Sequence, residues 1–125
     1  MLAACAPTHG PGEAARTAPP RLTGRHAVMG DGARLPTYRW LPRGGAPEAA
    51  ILAVHGFNDH GMAFDVPGRW FAARGLAVYA YDQRGFGGAP GGGDWPGEAA
   101  LVRDLAAMVR LVHQRHPGIP VYLLS

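Results

Sequence analysis

Three short, unbroken apolar runs stand out along the chain, at residues 49–54, 76–81 and 121–124. Each begins after Gly, Pro or a charged residue and ends at a polar one. A continuous apolar run of this length is typical of a strand that is buried on both faces of a parallel sheet. The pattern therefore predicts three buried strands.

Two segments between these strands have helical patterns. Residues 67–74 begin with Pro, which suits the first turn of a helix, and Gly75 suits its C-terminal cap. Asp94-Trp95-Pro96 offers an N-cap and an early Pro for a longer helix that ends at about Arg115. The apolar stripe of this second helix consists of Leu101, Leu105, Met108 and Val112.

Residues 22–28 and 34–41 bracket Gly30-Asp31-Gly32 and predict a β-hairpin ahead of these elements. The order is then a hairpin followed by β-α-β-α-β. That order predicts an α/β fold with a right-handed, mostly parallel sheet and helices on both faces. Because the pattern stops on a strand, we expect the fold to be incomplete, with its last strand exposed and prone to association.

The first 20 residues have a different character. Residues 1–20 are rich in Ala, Pro and Gly without periodicity, which predicts a disordered leader before a domain at 21–125. The opening Leu-Ala-Ala-Cys is similar to a bacterial lipobox, although no basic and apolar signal stretch stands before it. Either Cys5 is lipidated and tethers the protein to a membrane of the cell envelope, or the match is accidental and the protein is cytoplasmic. We favour lipidation.

Composition narrows the possible functions. The formal net charge is +3 and all 12 basic residues are Arg, scattered without a cluster, so nucleic-acid binding is not expected. Cys5 is the only cysteine, which excludes an internal disulfide. No apolar run approaches the ~20 residues of a membrane span.

Chemistry-bearing residues follow each predicted buried strand, where active groups of open α/β sheets lie. His-Gly-Phe-Asn-Asp-His-Gly occupies residues 55–61, and Asp-Gln-Arg-Gly-Phe-Gly occupies residues 82–87. A metal site built on His55, Asp59 and His60 lacks a further ligand at a telling spacing. The Gly-rich stretch from Gly85 has no dinucleotide or phosphate-loop pattern.

Together these motifs resemble those of α/β-hydrolases, in particular the monoacylglycerol lipase and lysophospholipase group of the serine aminopeptidase S33 type. The resemblance covers about residues 20–125. His-Gly-x-x-x-His at 55–60 and Asp-x-Arg-Gly-x-Gly at 82–87 match the group, as does His-Pro-Gly-Ile-Pro at 116–120. Epoxide hydrolases and haloalkane dehalogenases usually have Pro where this chain has Asn58, which counts against them.

The resemblance implies a role for each motif. The backbone N–H of Phe57 would be one donor to the oxyanion, and Gly56 would make the sharp turn that aims it. His55 and His60 would support this loop, His55 as a structural residue and not as the catalytic base. An ion pair between Asp82 and Arg84 would hold the second loop, together with Gly85 and Gly87. Where the family often has Ser after the last Gly, this chain has Gly88-Ala89-Pro90.

Ser125 is the only serine in the chain. By the family register it takes the place of the first Gly in the Gly-x-Ser-x-Gly elbow, so the nucleophile would follow two residues later, with the acid and the base beyond it. Residues 1–125 would then contain no catalytic residue, and we expect them to be inactive alone. The resemblance implies no metal or organic cofactor.

The implied activity is hydrolysis of carboxylic esters by a serine hydrolase, with monoacylglycerols or lysophospholipids as small lipid substrates. A proline-type aminopeptidase is the nearest enzymatic alternative, because the same family includes such enzymes. A non-catalytic module on the hydrolase fold, or the product of a truncated gene, is the alternative from a different class.

Overall fold

The computed structural model describes residues 18–125. Cys5 and the rest of residues 1–17 lie outside this range, so the leader and the lipobox stay predictions. The described elements are, in order, β1 (Arg21–Thr23), β2 (His26–Val28), β3 (Arg34–Trp40), β4 (Ala49–Ala53), a 3₁₀ turn (Gly61–Phe64), α1 (Asp65–Ala72), β5 (Leu76–Tyr81), α2 (Glu98–Arg115) and β6 (Val121–Leu124).

The six strands form one sheet in the order β1-β2-β3-β5-β4-β6. β4 lies parallel to both β5 and β6, whereas the β1–β2, β2–β3 and β3–β5 pairs are antiparallel. The sheet is thus mixed, and less parallel than the predicted one. One reason is that residues 22–28 form two short paired strands around a turn at Gly24-Arg25, and not one strand of a simple hairpin.

Both helices begin at residues other than those predicted. α1 begins at Asp65, two residues before Pro67, and the chain turns at Gly75 with φ +85°. α2 begins at Glu98, with Gly97 at the N-cap in place of Asp94. Asp94 instead belongs to the Gly-rich loop, where its N–H donates to the Gly91 carbonyl over 2.8 Å. Because Asp94 is part of this loop, α2 begins only at Glu98.

The core lies on either side of β4 and β5, whose residues are almost all buried. On one face, Tyr79 and Tyr81 of β5 and Leu52 of β4 cluster with the buried stripe of α2. Alternate residues such as Ile51 and Val78 point to the opposite face, which α1 contacts through β5. The buried stripe of α2, on the first of these faces, consists of Ala107, Met108, Leu111 and Val112.

The third apolar run forms a strand, β6, which is exposed in the described residues, as expected of the last strand of an incomplete fold. Tyr122 and Leu123 are 59% and 57% exposed. The physical reason is that β6 pairs on one side only, with β4, and forms the edge of the sheet. Adjacent strand residues face opposite sides, so apolar groups are open on both faces, a pattern that favours association. Within residues 18–125, no helix is long and apolar enough to cross a bilayer.

Candidate active site

The carboxyl ends of β5, β4 and β6 lie side by side, with β4 in the middle. Ala53 of β4 is level with Ala80 of β5 and with Leu124 of β6. One residue further on, the Val54 N–H donates to the Leu124 carbonyl over 2.8 Å. The loop that begins at His55 therefore leaves the sheet directly beside Ser125.

The His55 side chain holds this loop by both ring nitrogens, and it is only 5% exposed. The backbone N–H of Gln83 donates to Nε2 over 3.0 Å, so that nitrogen is an acceptor. Nδ1 therefore carries the proton and donates to the Gly56 carbonyl, 2.8 Å away. A neutral ring with both nitrogens engaged has no lone pair free to act as a base.

The Gly56 carbonyl fixes the direction of the next N–H. That carbonyl accepts from Nδ1 of His55 and, over 3.3 Å, from the N–H of Asp59. The peptide between Gly56 and Phe57 is trans, so its C=O and N–H point in opposite directions. The Phe57 N–H thus points away from the His55 ring, and within residues 18–125 it donates no hydrogen bond.

The tight turn of this loop is at Asn58 and not at Gly56, where it was expected. Asn58 has φ +59°, a left-handed conformation that Asn tolerates better than most residues. Gly56 has no positive φ, and a Cβ at that position would meet nothing within 4 Å. The amide of Phe57 is therefore placed by the hydrogen bonds of its neighbours and by the turn that follows it.

His60 enters the next turn through its backbone. Its N–H donates to Oδ1 of Asp59 over 2.9 Å, and its carbonyl accepts from the N–H of Ala63 over 3.1 Å. The residue is exposed, and its ring makes no hydrogen bond within the described part of the chain. Across residues 18–125, no group of three or more His, Cys, Asp or Glu side chains is placed to hold a metal ion.

Asp82 joins three segments through a carboxylate that is almost fully buried. Oδ1 accepts from the N–H of Gly61 over 2.7 Å, and Oδ2 accepts from the N–H of Gly88 over 2.8 Å. Oδ2 also accepts from the Tyr38 hydroxyl over 3.2 Å. Burial raises the pKa of Tyr38, and the nearby charge of Asp82 raises it further. Asp82 thus ties the loops after β4 and β5 to β3.

The predicted ion pair between Asp82 and Arg84 is wrong. Both oxygens of Asp82 accept from loop N–H groups, whereas Arg84 extends towards α2 and the turn after β2. Its Nε and Nη2 donate to the two oxygens of Asp104 over 2.9 and 3.0 Å. Nη1 and Nη2 donate to Asp31 over 2.8 and 3.3 Å. Arg84 therefore bridges two elements that are distant in the sequence.

These contacts shift the pKa values of the groups that make them. Hydrogen bonding to Asp104, the largest cause, and then to Asp31 raises the pKa of Arg84 despite its partial burial. The same guanidinium lowers the pKa of Asp31. The sequence does contain one signal for this bridge. Asp104 lies three residues after Leu101 and four before Met108, so a carboxylate interrupts the apolar stripe of α2.

Gly87 is needed where the second loop passes Asp82. Its φ is +52°, and a Cβ there would lie 2.4 Å from Oδ2 of Asp82. We expect Gly87→Ala to lower the free energy of unfolding by about 2 kcal/mol, from left-handed strain and the clash together. Gly93→Ala is the matched control, since Gly93 has φ +89° but open space around it. Chemical denaturation should show a smaller loss for Gly93→Ala, and equal losses would contradict the clash.

An aromatic cluster borders the first loop. The ring of Phe57 lies edge-on to Phe86 at 5.5 Å and tilted against Trp95 at 6.4 Å. Phe57 and Trp95 are 74% and 62% exposed. The structure thus places an open apolar surface beside the candidate oxyanion donor, which the sequence motifs alone did not indicate.

A cleft of about 930 Å³ lies away from the 55–61 loop, between residues 18–20, the turn after β2, and α2. Asp31, Arg84 and Asp104 line part of it, but no residue of the 55–61 loop does. It is therefore separate from the candidate site.

Comparisons with known proteins place these motifs in a family. Residues 45–125 match the family described as serine aminopeptidase, S33. A human monoglyceride lipase is 33% identical over 107 residues, which are 80% of this chain and 33% of that protein. This chain thus spans about a third of the length of that relative.

Solved structures share the fold. A soluble variant of a monoglyceride lipase from Saccharomyces cerevisiae superposes with a TM-score of 0.66 at 22% identity, over 81% of this chain and 36% of that one. A thermostable carboxyl esterase from Bacillus coagulans gives a TM-score of 0.64 at 22% identity, over 73% and 31%. The described residues form part of the α/β-hydrolase fold, and the chain belongs to the serine aminopeptidase S33 family.

Proposed function

We propose that these residues are the N-terminal part of a serine hydrolase that cleaves carboxylic esters of small lipids, such as monoacylglycerols or lysophospholipids. In this proposal the Phe57 N–H donates to the oxyanion of the tetrahedral intermediate. The nucleophilic serine follows Ser125 by two residues, and the acid and base of the triad come later in the chain.

One observation carries the proposal. The Phe57 N–H is turned away from the His55 ring and has no acceptor within residues 18–125, and its loop starts beside the end of β6. A backbone donor without a partner, beside the strand that would lead to the nucleophile, is what an oxyanion hole requires. The fully engaged ring of His55 supports a structural role for that residue, and leaves the base to be supplied from elsewhere.

The choice of substrate rests on the relatives. The human and yeast proteins are named as monoglyceride lipases, and the bacterial structure as a carboxyl esterase. A second candidate is hydrolysis of an N-terminal residue, proline above all, from a peptide, because the matching family is described as a serine aminopeptidase. Both reactions pass through a tetrahedral oxyanion, so the geometry around Phe57 serves either.

The test uses the extended protein, by which we mean the chain continued through the reading frame that follows residue 125. We expect a fluorophosphonate to label the serine two residues after Ser125, as located by peptide mass spectrometry. Turnover should be faster with monoacylglycerol or lysophosphatidylcholine than with prolyl-anilide. Faster prolyl-anilide cleavage would favour the peptidase, and a reading frame without that serine, or an unlabelled protein, would refute both.

We also propose that Cys5 carries a diacylglyceryl group that tethers the protein in the cell envelope. The support is the Leu-Ala-Ala-Cys sequence and the Pro- and Gly-rich stretch after it. Mass spectrometry of the N-terminus isolated from the native host is the test, and an unmodified Cys5 would contradict the tether.

A further inference from the structure

We infer that Gln83 is a positioning residue for the oxyanion donor, because it fastens the loop that carries the Phe57 N–H to the end of β5. This inference rests on the proposed function and adds to it a residue outside the oxyanion loop.

Gln83 holds His55 at two points, from a position 28 residues further along the chain. Its side-chain Nε2 donates to the His55 carbonyl over 2.6 Å, and its backbone N–H donates to the His55 ring. Nε2 of Gln83 also lies 3.3 Å from Nδ1 of His55, but both nitrogens carry protons and this contact is no hydrogen bond.

The two contacts orient two successive peptide groups. The side chain of Gln83 fixes the carbonyl of the peptide between His55 and Gly56. The backbone N–H of Gln83 holds the His55 ring, and Nδ1 of that ring fixes the next carbonyl, that of Gly56. That second peptide is the one that carries the Phe57 N–H. Gln83 thus acts on the donor through one intermediate residue, and its amide has no acid or base function of its own.

The side chain of Gln83 can be tested without disturbing its backbone. Gln83→Met keeps the length of the side chain and the backbone N–H to the His55 ring, and removes only the donor to the His55 carbonyl. In the extended protein we expect kcat for an ester to fall about tenfold, with KM within about twofold, because a misaligned N–H weakens binding of the oxyanion more than binding of the substrate. Gln114→Met is the matched control, since Gln114 is exposed on α2.

A double variant separates positioning from general destabilisation. In a Phe57→Pro background the N–H is absent, so Gln83→Met should cause no further loss of kcat. A tenfold loss that persists in that background, or a Gln83→Met enzyme with unchanged kcat, would overturn the inference.

Amide hydrogen exchange gives a readout independent of activity. We expect exchange across residues 55–60 to accelerate in Gln83→Met and to stay unchanged in Gln114→Met. If the extended protein labels no serine and cleaves no ester, the proposed function fails, and faster exchange then still shows that Gln83 holds the loop. Unchanged exchange across the loop would refute the inference whatever the activity.

Discussion

Replacing Phe57 by Pro should lower kcat of the extended protein for ester substrates by about 100- to 1,000-fold, the usual cost of losing one oxyanion donor. Proline has no backbone N–H, so the change deletes the donor itself. The effect should fall mainly on kcat, because the charge on the carbonyl oxygen develops only in the transition state. Steady-state kinetics with a soluble monoacylglycerol would measure it.

Phe57→Ala is the matched control for this variant. It keeps the N–H and removes the exposed ring with its contacts to Phe86 and Trp95. We expect Phe57→Ala to retain kcat within about tenfold of the wild type, with any change mainly in KM. Equal losses of kcat in the Pro and Ala variants, at matched melting temperatures, would show that the ring and not the amide matters.

Replacing Arg84 by Met should lower the free energy of unfolding by about 3 kcal/mol, the lower end of the cost of leaving one member of a buried ion pair alone. Asp104 is 4% exposed and receives two hydrogen bonds from Arg84, at 2.9 and 3.0 Å. Without Arg84 its carboxylate would have no cationic partner among residues 18–125, and nothing there would offset the cost of its desolvation. Denaturant unfolding of the extended protein, followed by circular dichroism, would measure the loss.

A double variant tests whether Asp104 is the main partner. Arg84→Met combined with Asp104→Leu removes both charges, and we expect it to lie within about 1 kcal/mol of the wild type. Arg103→Met, an exposed change on the same helix, is the control and should alter stability little. If the double variant is as unstable as the sum of the two single variants, Arg84 and Asp104 are not coupled.

The second partner of Arg84 gives this bridge a pH dependence. Because Arg84 lowers the pKa of Asp31 below its usual 3.8, the unfolded chain binds the proton more tightly than the folded one. The stabilisation is therefore present above about pH 4 and is lost as the pH falls through the lowered pKa. In Asp31→Asn, this part of the acid destabilisation should be absent.

The strands and the family could be predicted from the sequence, because both signals are local. A buried strand needs only a short apolar run, such as residues 76–81, and β5 has those bounds in the structure. The motifs at 55–60 and 82–87 are likewise contiguous, and residues 45–125 match the family to which such motifs belong. The run at residues 121–124 also forms a strand, β6, but an apolar run does not show which strand lies beside it, here β4.

The tertiary structure alone decided which groups meet. Arg84 lies two residues from Asp82 in the chain, yet its partners are 20 and 53 residues away. No local pattern in the sequence singled out Gln83, because its contacts with His55 form only where the ends of β4 and β5 meet. A hydrogen bond depends on distances of about 3 Å between groups that folding brings together, and the order of residues along the chain does not contain those distances.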